Sequence, residues 1–190
     1  MILLDGQAVA KSLNENLKIA IKTYTLSRRK PRLAIILVGS HPASLSYIKG
    51  KLKAAESVGI EAHLYQLPQH ATNEEVLEQI HTLNADKETD GIILQLPLPK
   101  ELDERRLINA IEFQKDADGF HTLNQGRLYQ SQPCVKPATP VGIIKLLEAY
   151  NIEVEGKHAV IVGRSSIVGF PVARMLMDRG ATITVCHSKT

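Results

Sequence analysis

Leu33-Ala34-Ile35-Ile36-Leu37-Val38-Gly39-Ser40-His41-Pro42-Ala43-Ser44-Leu45-Ser46-Tyr47-Ile48-Lys49-Gly50-Lys51 changes its periodicity once, around Gly39. Up to Val38 it is a continuous apolar run of strand length, which fits a strand buried on both faces, as in a parallel sheet. Beyond the glycine a helical pattern continues to about Val58, and Gly59 is its stop signal. Leu45, Ile48, Leu52 and Ala55 recur at helical spacing and form the core-facing stripe. Tyr47, Lys51, Ala54 and Val58 form a second row beside it, while Lys49, Lys53 and Glu56 point elsewhere. Side chains four apart are neighbours on a helix, so Tyr47 adjoins Lys51. A lysine held there can lose solvation, lower its pKa and serve in proton transfer. It can equally snorkel, with its stem on the core and its ammonium in water. On spacing alone the snorkelling reading stands first.

The same alternation of strand and helix runs outward in both directions. Gln7 to about Ser27 reads as a long helix with Val9, Leu13, Leu17, Ile19, Ala20 and Tyr24 broadly on one side, stopped by Pro31. Ile60 to Leu67 is a second strand, closed by Pro68. Thr72-Asn73-Glu74-Glu75 is a capping box that launches a helix through Val76, Leu77, Ile80 and Leu83. Gly91-Ile92-Ile93-Leu94-Gln95-Leu96 is a third buried strand, ended by Pro97-Leu98-Pro99, and Asp103 to Ile111 makes a short helix. Lys115 to Pro137 holds an Asp-Gly turn, short extended pieces and several breakers. Thr139-Pro140 sets a cap and a first-turn proline for a helix from Val141 to about Tyr150. His158–Val162 is a strand, Val168–Arg179 a helix and Ala181–Cys186 a strand.

The fold class expected is therefore α/β with parallel pairing. The break falls among the prolines between Pro133 and Pro140, giving a first domain over 1–138 and a Rossmann-type domain beginning at 139. A dinucleotide fold has about six strands, and 139–190 supplies two, so the second domain reads as truncated. Either the chain is part of a longer protein, or a partner chain covers the open sheet.

Composition narrows the classes of function. Of 190 residues, 44% are apolar and 23% charged, ordinary for a soluble globular protein. The formal charge is only +3, and aromatic content is 4% with no tryptophan, which argues against base-stacking surfaces. Arg28-Arg29-Lys30, the densest basic run, reads as a solvated connection rather than a nucleic-acid patch. Cys134 and Cys186 lack metal or redox spacing, and Cys186 reads as a small buried hydrophobe. No paired histidine spacing suggests a metal site. Met1-Ile2-Leu3-Leu4-Asp5-Gly6 is too short in apolar residues for a signal peptide's core, and no window approaches a membrane span. A cytoplasmic protein is expected.

Three stretches could carry chemistry with the Tyr47/Lys51 helix. Val162-Gly163-Arg164-Ser165-Ser166-Ile167-Val168-Gly169-Phe170-Pro171 lies between a strand and a helix, where backbone amides can hold a pyrophosphate at the helix's positive end. It departs from G-x-G-x-x-G at Ser165, and a tight turn without a ligand is the alternative. The following strand ends in His187, Ser188 and Lys189 instead of an acidic residue. With Arg164, these hydroxyl and cationic groups suit a 2′-phosphate, hence NADP over NAD, unless the loop is merely basic. Gln95 is a lone amide in an apolar strand at its carboxyl end, where ligand sites collect, although it can also reach solvent there. Lys115-Asp116-Ala117-Asp118-Gly119-Phe120 brings two carboxylates before a glycine, which by itself reads as a turn.

Together these segments resemble the bifunctional methylenetetrahydrofolate dehydrogenase/methenyltetrahydrofolate cyclohydrolase family. The matching motifs, in order, are Gly39–Ser44 with Tyr47 and Lys51, Gln95-Leu96-Pro97-Leu98-Pro99, Lys115–Gly119, Pro137-Ala138-Thr139-Pro140, and Gly163–Pro171. The resemblance spans the whole chain and implies a cytoplasmic enzyme of one-carbon metabolism that feeds purine biosynthesis. It implies oxidation of 5,10-methylenetetrahydrofolate with NADP, and hydrolysis of the methenyl product to 10-formyltetrahydrofolate. It makes Lys51 the acid/base of the hydrolytic step, with Tyr47 against the pterin and Gln95 hydrogen-bonded to the lysine. Asp118 accepts from the pterin's amino and ring nitrogens. Gly163, Arg164, Ser165, Ile167, Val168, Gly169, His187 and Ser188 hold NADP. A cationic folate intermediate is expected to lower the pKa of Lys51. The partners implied are tetrahydrofolate derivatives and a second copy when full length, with neither nucleic acid nor membrane. Ala138 stands where relatives often carry a cysteine, and relatives continue beyond the position of Thr190. The other readings are a dehydrogenase lacking hydrolysis, an inactive folate-binding or oligomer-modulating fragment, and an unrelated two-domain NADP dehydrogenase.

Overall fold

Strand β1 (Arg32–Val38) is the middle of a three-stranded parallel sheet with β2 (Glu61–Leu67) on one side and β3 (Gly91–Leu94) on the other. Register pairs Arg32 with Glu61 through Val38 with Leu67, and Leu33 with Gly91 through Ile36 with Leu94. The structure, a computed structural model, describes residues 3–190, so Met1 and Ile2 of the N-terminal stretch lie outside the described residues, as does the side chain of Ala43. Successive strand side chains point to opposite faces. Ala34, Ile36 and Val38 enter one cluster with Val76, Ile80 and Leu83 of α3 (Asn73–Ala85) and Leu107 of α4 (Glu104–Ala110). Ile35 and Leu37 enter another with Ile48 of α2 (Pro42–Val58), against which Leu45 and Leu52 pack. The unbroken apolar run at 33–38 is therefore a strand covered on both faces.

The chain goes from β1 through α2 to β2, then through α3 back past β1 to β3. Strand order thus reverses at β1, with helices on both faces, and ligands of such sheets bind outside the carboxyl ends of the strands at the reversal. Those ends are Val38-Gly39 and Leu94-Gln95.

The helix ends follow their local chemistry. Gly59 ends α2 in the left-handed region (φ 92°), with its N–H donating to the Ala55 and Glu56 carbonyls. The capping box of α3 is formed: Glu75 N–H donates to Thr72 Oγ1 (3.3 Å), and Thr72 N–H donates to Glu75 Oε2 (2.7 Å).

Contacts divide the chain into two compact units, Ser12–Ala117 and a second that joins residues up to Lys11 with Asp118–Thr190. The second unit holds α5 (Thr122–Tyr129), α6 (Ala138–Ala149), β4 (His158–Val162), α7 (Gly169–Met177) and β5 (Thr182–Cys186). Strands β4 and β5 are parallel, and Leu128, Ile144, Val172, Met175, Leu176 and Ala181 form this unit's core.

Several sequence expectations need correction. The first helix, α1, spans Gly6–Tyr24, and its buried residue is Ile21, while Leu13, Leu17, Ile19 and Tyr24 are exposed. Ile21 packs beside Gly59, where a β-carbon would lie 3.3 Å from its Cγ2, so the contact selects a different side of the helix from the apolar count. The stretch after Lys115 contains α5, not extended pieces. Its start is capped by His121, whose Nδ1 accepts from Leu123 N–H (3.0 Å), a residue outside the usual capping set. Helix α6 begins at Ala138, so Thr139 is no cap. Pro140 lies in the first turn, where a missing N–H costs nothing. Strand β3 stops at Leu94, although Gln95 N–H still donates to Ile36 O (2.9 Å).

Candidate functional site

Tyr47 and Lys51, one turn apart on α2, both line an open hollow with Ser46, Gly50 and Ala54. Tyr47 is 71% exposed, whereas Lys51 is half-buried. A side chain at Gly50 meets nothing within 4 Å, so packing does not demand glycine there; its effect is to keep the floor of the hollow low. The helix row read from the sequence is thus a real surface with an aromatic wall and an amine. At the head of α2, Gly39 has φ 83°, and a β-carbon there overlaps the Gln69 side chain, so the turn out of β1 requires glycine.

Gln95 stands just past β3, at the strand-order reversal. Its Nε2 donates to Leu96 O (2.7 Å), and its Oε1 is buried with no hydrogen-bond partner. The expected bond between Gln95 and Lys51 is therefore not made: Oε1, the atom a lysine ammonium would donate to, has no partner. A buried amide oxygen left unpaired costs about 1–3 kcal/mol, which marks it as an acceptor held ready for a donor.

The segment Lys115–Ala117 lies alongside β3. Ile92 N–H donates to Lys115 O (2.6 Å), Ala117 N–H donates to Ile92 O (3.1 Å), and Asp116 is buried. The Asp-Gly turn follows in the second unit. Gly119 has φ 70°, and a β-carbon there would lie 2.8 Å from Val135 O, so only glycine fits. Asp118, immediately before it, is half-buried.

In the second unit the other predicted residues meet at the carboxyl ends of β4 and β5. Val162 pairs with Cys186, and Gly163 N–H donates to Cys186 O (2.9 Å), so the turn after β4 adjoins His187. Gly163 has φ 132°. Gly169 is required by close approach, since a β-carbon there would lie 2.2 Å from Gly163 O. Ser165, which replaces the motif's second glycine, ties the turn to the start of α7: its Oγ accepts from Val168 N–H (3.1 Å) and Gly169 N–H (3.2 Å). Those two amides are thereby engaged, so an anion at this turn meets the hydroxyl and the exposed Arg164 and Ser166. Ile167 is half-buried within the same turn. His187 N–H donates to Thr190 Oγ1 (2.9 Å), and its Nδ1 accepts from Lys189 N–H (3.1 Å), which leaves Ser188 and Lys189 exposed. Cationic and hydroxyl groups without a carboxylate suit a phosphate-bearing nucleotide, so these residues fit NADP.

Two further features are not declared by any local sequence pattern. Lys115 donates to three backbone carbonyls, at Leu83, Asn84 and Asp86. A hollow of about 510 Å³ in the second unit lies among Leu128, Tyr129, Phe170, Arg174, Ile183 and Val185, none of them a predicted site residue. Burial pushes the Cys134 thiol pKa up, which is unfavourable to thiolate chemistry. Among the described residues no group of three or more His, Cys, Asp or Glu could hold a metal ion, and no helix is long and apolar enough to cross a membrane.

Residues 4–118 match the family described as tetrahydrofolate dehydrogenase/cyclohydrolase, catalytic domain, and residues 137–190 match the NAD(P)-binding domain of the same enzymes. The chain is 50% identical over 189 residues to the bifunctional protein FolD of Acholeplasma laidlawii, covering 100% of this chain and 67% of that protein. It is 48% identical to the FolD protein of Mycoplasma mycoides, of which it covers 66%. Among solved structures, the Campylobacter jejuni bifunctional FolD enzyme superposes with a TM-score of 0.98 at 45% identity, over 100% of this chain and 68% of that one. The Trypanosoma brucei enzyme, solved with NADP and an inhibitor, gives 0.95 at 33% identity, over 100% and 65%. The chain thus spans about two thirds of the length of the relatives it matches.

Proposed function

The chain belongs to the tetrahydrofolate dehydrogenase/cyclohydrolase family, and from that premise we propose that the whole protein oxidises 5,10-methylenetetrahydrofolate with NADP and hydrolyses the methenyl product to 10-formyltetrahydrofolate. The observation that carries the hydrolytic half is the pairing of Lys51 with Tyr47 in one hollow on α2. The buried, unpartnered Gln95 Oε1 at the carboxyl end of the next strand in the sheet supports it.

In this reading Tyr47 lies against the pterin and limits where the ring can settle, and Asp118 accepts from its amino and ring N–H groups. Lys51 Nζ takes a proton from the water that adds to the methenyl carbon, and returns one to the ring nitrogen as the carbon–nitrogen bond opens, while the remaining carbinol proton leaves to solvent as the formyl carbonyl forms. Positioned proton transfer of this kind contributes about 10²–10⁴-fold in rate. Gln95 Oε1 is the acceptor for the ammonium, reached when the side chain turns from Leu96 O. NADP supplies the hydride acceptor for the oxidative half. Arg164, Ser165, His187 and Ser188 hold its phosphates and ribose, with Gly163, Ile167, Val168 and Gly169 shaping the turn. That half needs no protein base; it needs two reactants held face to face. The proposed division of labour is folate on 1–138 and NADP on 139–190, in an enzyme that works as a cytoplasmic homodimer and serves purine biosynthesis.

The test is hydrolysis of methenyltetrahydrofolate, followed by loss of its absorbance, in the wild type and in Lys51→Met. A fall of about 10²–10⁴-fold is expected. Hydrolysis that survives the substitution would remove Lys51 from the mechanism.

A further inference from the structure

Lys115 is tied at both ends. Its Nζ donates to Leu83 O (3.0 Å), Asn84 O (2.6 Å) and Asp86 O (2.8 Å), so all three ammonium protons have acceptors. These carbonyls belong to the last turn of α3 and its cap, where the helix leaves acceptors unpaired and a cation is favoured. No glycine cap closes α3, whose cap residue is the extended Asp86, and Lys115 takes that role from a distance. Asn84 extends the tie. Its Nδ2 donates to Ala110 O (2.8 Å), and its Oδ1 accepts from Glu112 N–H (3.0 Å). Meanwhile the main chain of Lys115 and Ala117 is bonded to Ile92 of β3 at 2.6 and 3.1 Å. Side chain and backbone thus pin one short segment to both α3 and β3, and Asp118 is the next residue along.

We propose that Lys115 is a positioning residue for folate binding: by clamping the end of α3 to the segment beside β3, it fixes the point from which Asp118 reaches the pterin. The inference rests on the folate role proposed for Asp118. An unclamped segment keeps its ladder bonds to Ile92 but loses three charge-assisted bonds to the end of α3, which loosens the anchor of the chain three residues before Asp118 and lowers the share of molecules ready to bind.

The experiment is a double-mutant cycle on the whole chain, with affinity for 5-formyltetrahydrofolate, a stable reduced folate, read by calorimetry. Lys115→Met is expected to weaken binding roughly tenfold in the wild-type background and less than twofold when Asp118 is already alanine. Lys115→Arg, which keeps the charge and the donors, is expected to recover most of the loss. Unchanged affinity in Lys115→Met, or an equal tenfold loss in both backgrounds, overturns the proposal, since a merely structural lysine acts whatever stands at 118. Asn84→Ala, which leaves Lys115 in place, keeps the cycle open if Lys115→Met does not fold. It is expected to cost roughly threefold, again only when Asp118 is present, and an unchanged affinity counts against the clamp. Wild-type affinity in Asp118→Ala overturns the folate role of Asp118 itself, and so separates that failure from the failure of the clamp.

Discussion

At the scale of single residues, part of the candidate site is built from groups that do not help the fold. Gln95 is the clearest case: its buried Oε1 is unsatisfied, and its Nε2 serves only the adjacent carbonyl. Replacing it with Met keeps the length, removes the unpaired acceptor and gives up one hydrogen bond. Leaving an acceptor unpaired costs about 1–3 kcal/mol, and an ordinary hydrogen bond contributes about 0.5–1.5 kcal/mol. Gln95→Met is therefore expected to hold or raise the melting temperature while methenyltetrahydrofolate hydrolysis falls. A clear drop in melting temperature would mean that Oε1 has a partner in the folded protein. Lys51 is the opposite kind of residue. Its spacing from Tyr47 was readable, but the spacing alone favoured snorkelling. What raised it to a candidate base was the match of Gln95 and Lys115–Gly119 to the same family, together with the hollow it shares with Tyr47.

At the scale of elements, most of the chain was legible where local chemistry and packing agree. The capping box at Thr72, the αL glycine at 59 and the doubly covered strand at 33–38 all form as their residues dictate. Helix α5 was hidden because Gly126 interrupts it, His121 caps it, and its buried members are the unlike pair Asn124 and Leu128. Lys115 was hidden for a different reason, since its three acceptors lie 29 to 32 residues earlier. The ion pair at the start of the sheet was equally invisible. Arg29 grips Asp90 with both guanidinium nitrogens (2.7 and 3.0 Å), and Asp90 also accepts from Arg32 N–H (2.8 Å), which joins the approach to β1 to the approach to β3. The Arg29 guanidinium holds the Asp90 carboxyl below the usual aspartate range. Its contribution is therefore complete above about pH 4, the unfolded aspartate value, and is lost as pH falls through the lower folded value. Both side chains are more than a third exposed, so the contribution is at most about 1 kcal/mol. Asp90→Asn is expected to lower the melting temperature by a few degrees at pH 7. The gap to wild type should close on acidification below pH 4, and a gap that stays constant with pH would assign the loss to geometry rather than charge.

At the scale of the molecule, the two units carry separate cores. Among the described residues, the clusters around β1 draw on residues 33–117, and the cluster around α7 on residues 128–183. The sequence indicated two α/β bodies because its strand and helix patterns restart after the prolines. It could not indicate that the described residues up to Lys11 group with the second unit while the rest of α1, with Ile21, groups with the first, since an amphipathic helix does not declare which core each of its turns serves. Separate cores have a measurable consequence. Ile36 is fully buried between α3, α4 and the neighbouring strands, and truncating such a residue to Ala costs about 2–5 kcal/mol, a large part of the roughly 5–15 kcal/mol that holds a domain together. Local stability is read segment by segment through amide hydrogen exchange. In Ile36→Ala, protection is expected to fall by about 2–5 kcal/mol across Ala34–Val38 and Val76–Leu83, and to stay at its wild-type level across Val172–Leu176. Equal loss in both segments would show that the two cores unfold as one and that the chain behaves as a single cooperative body.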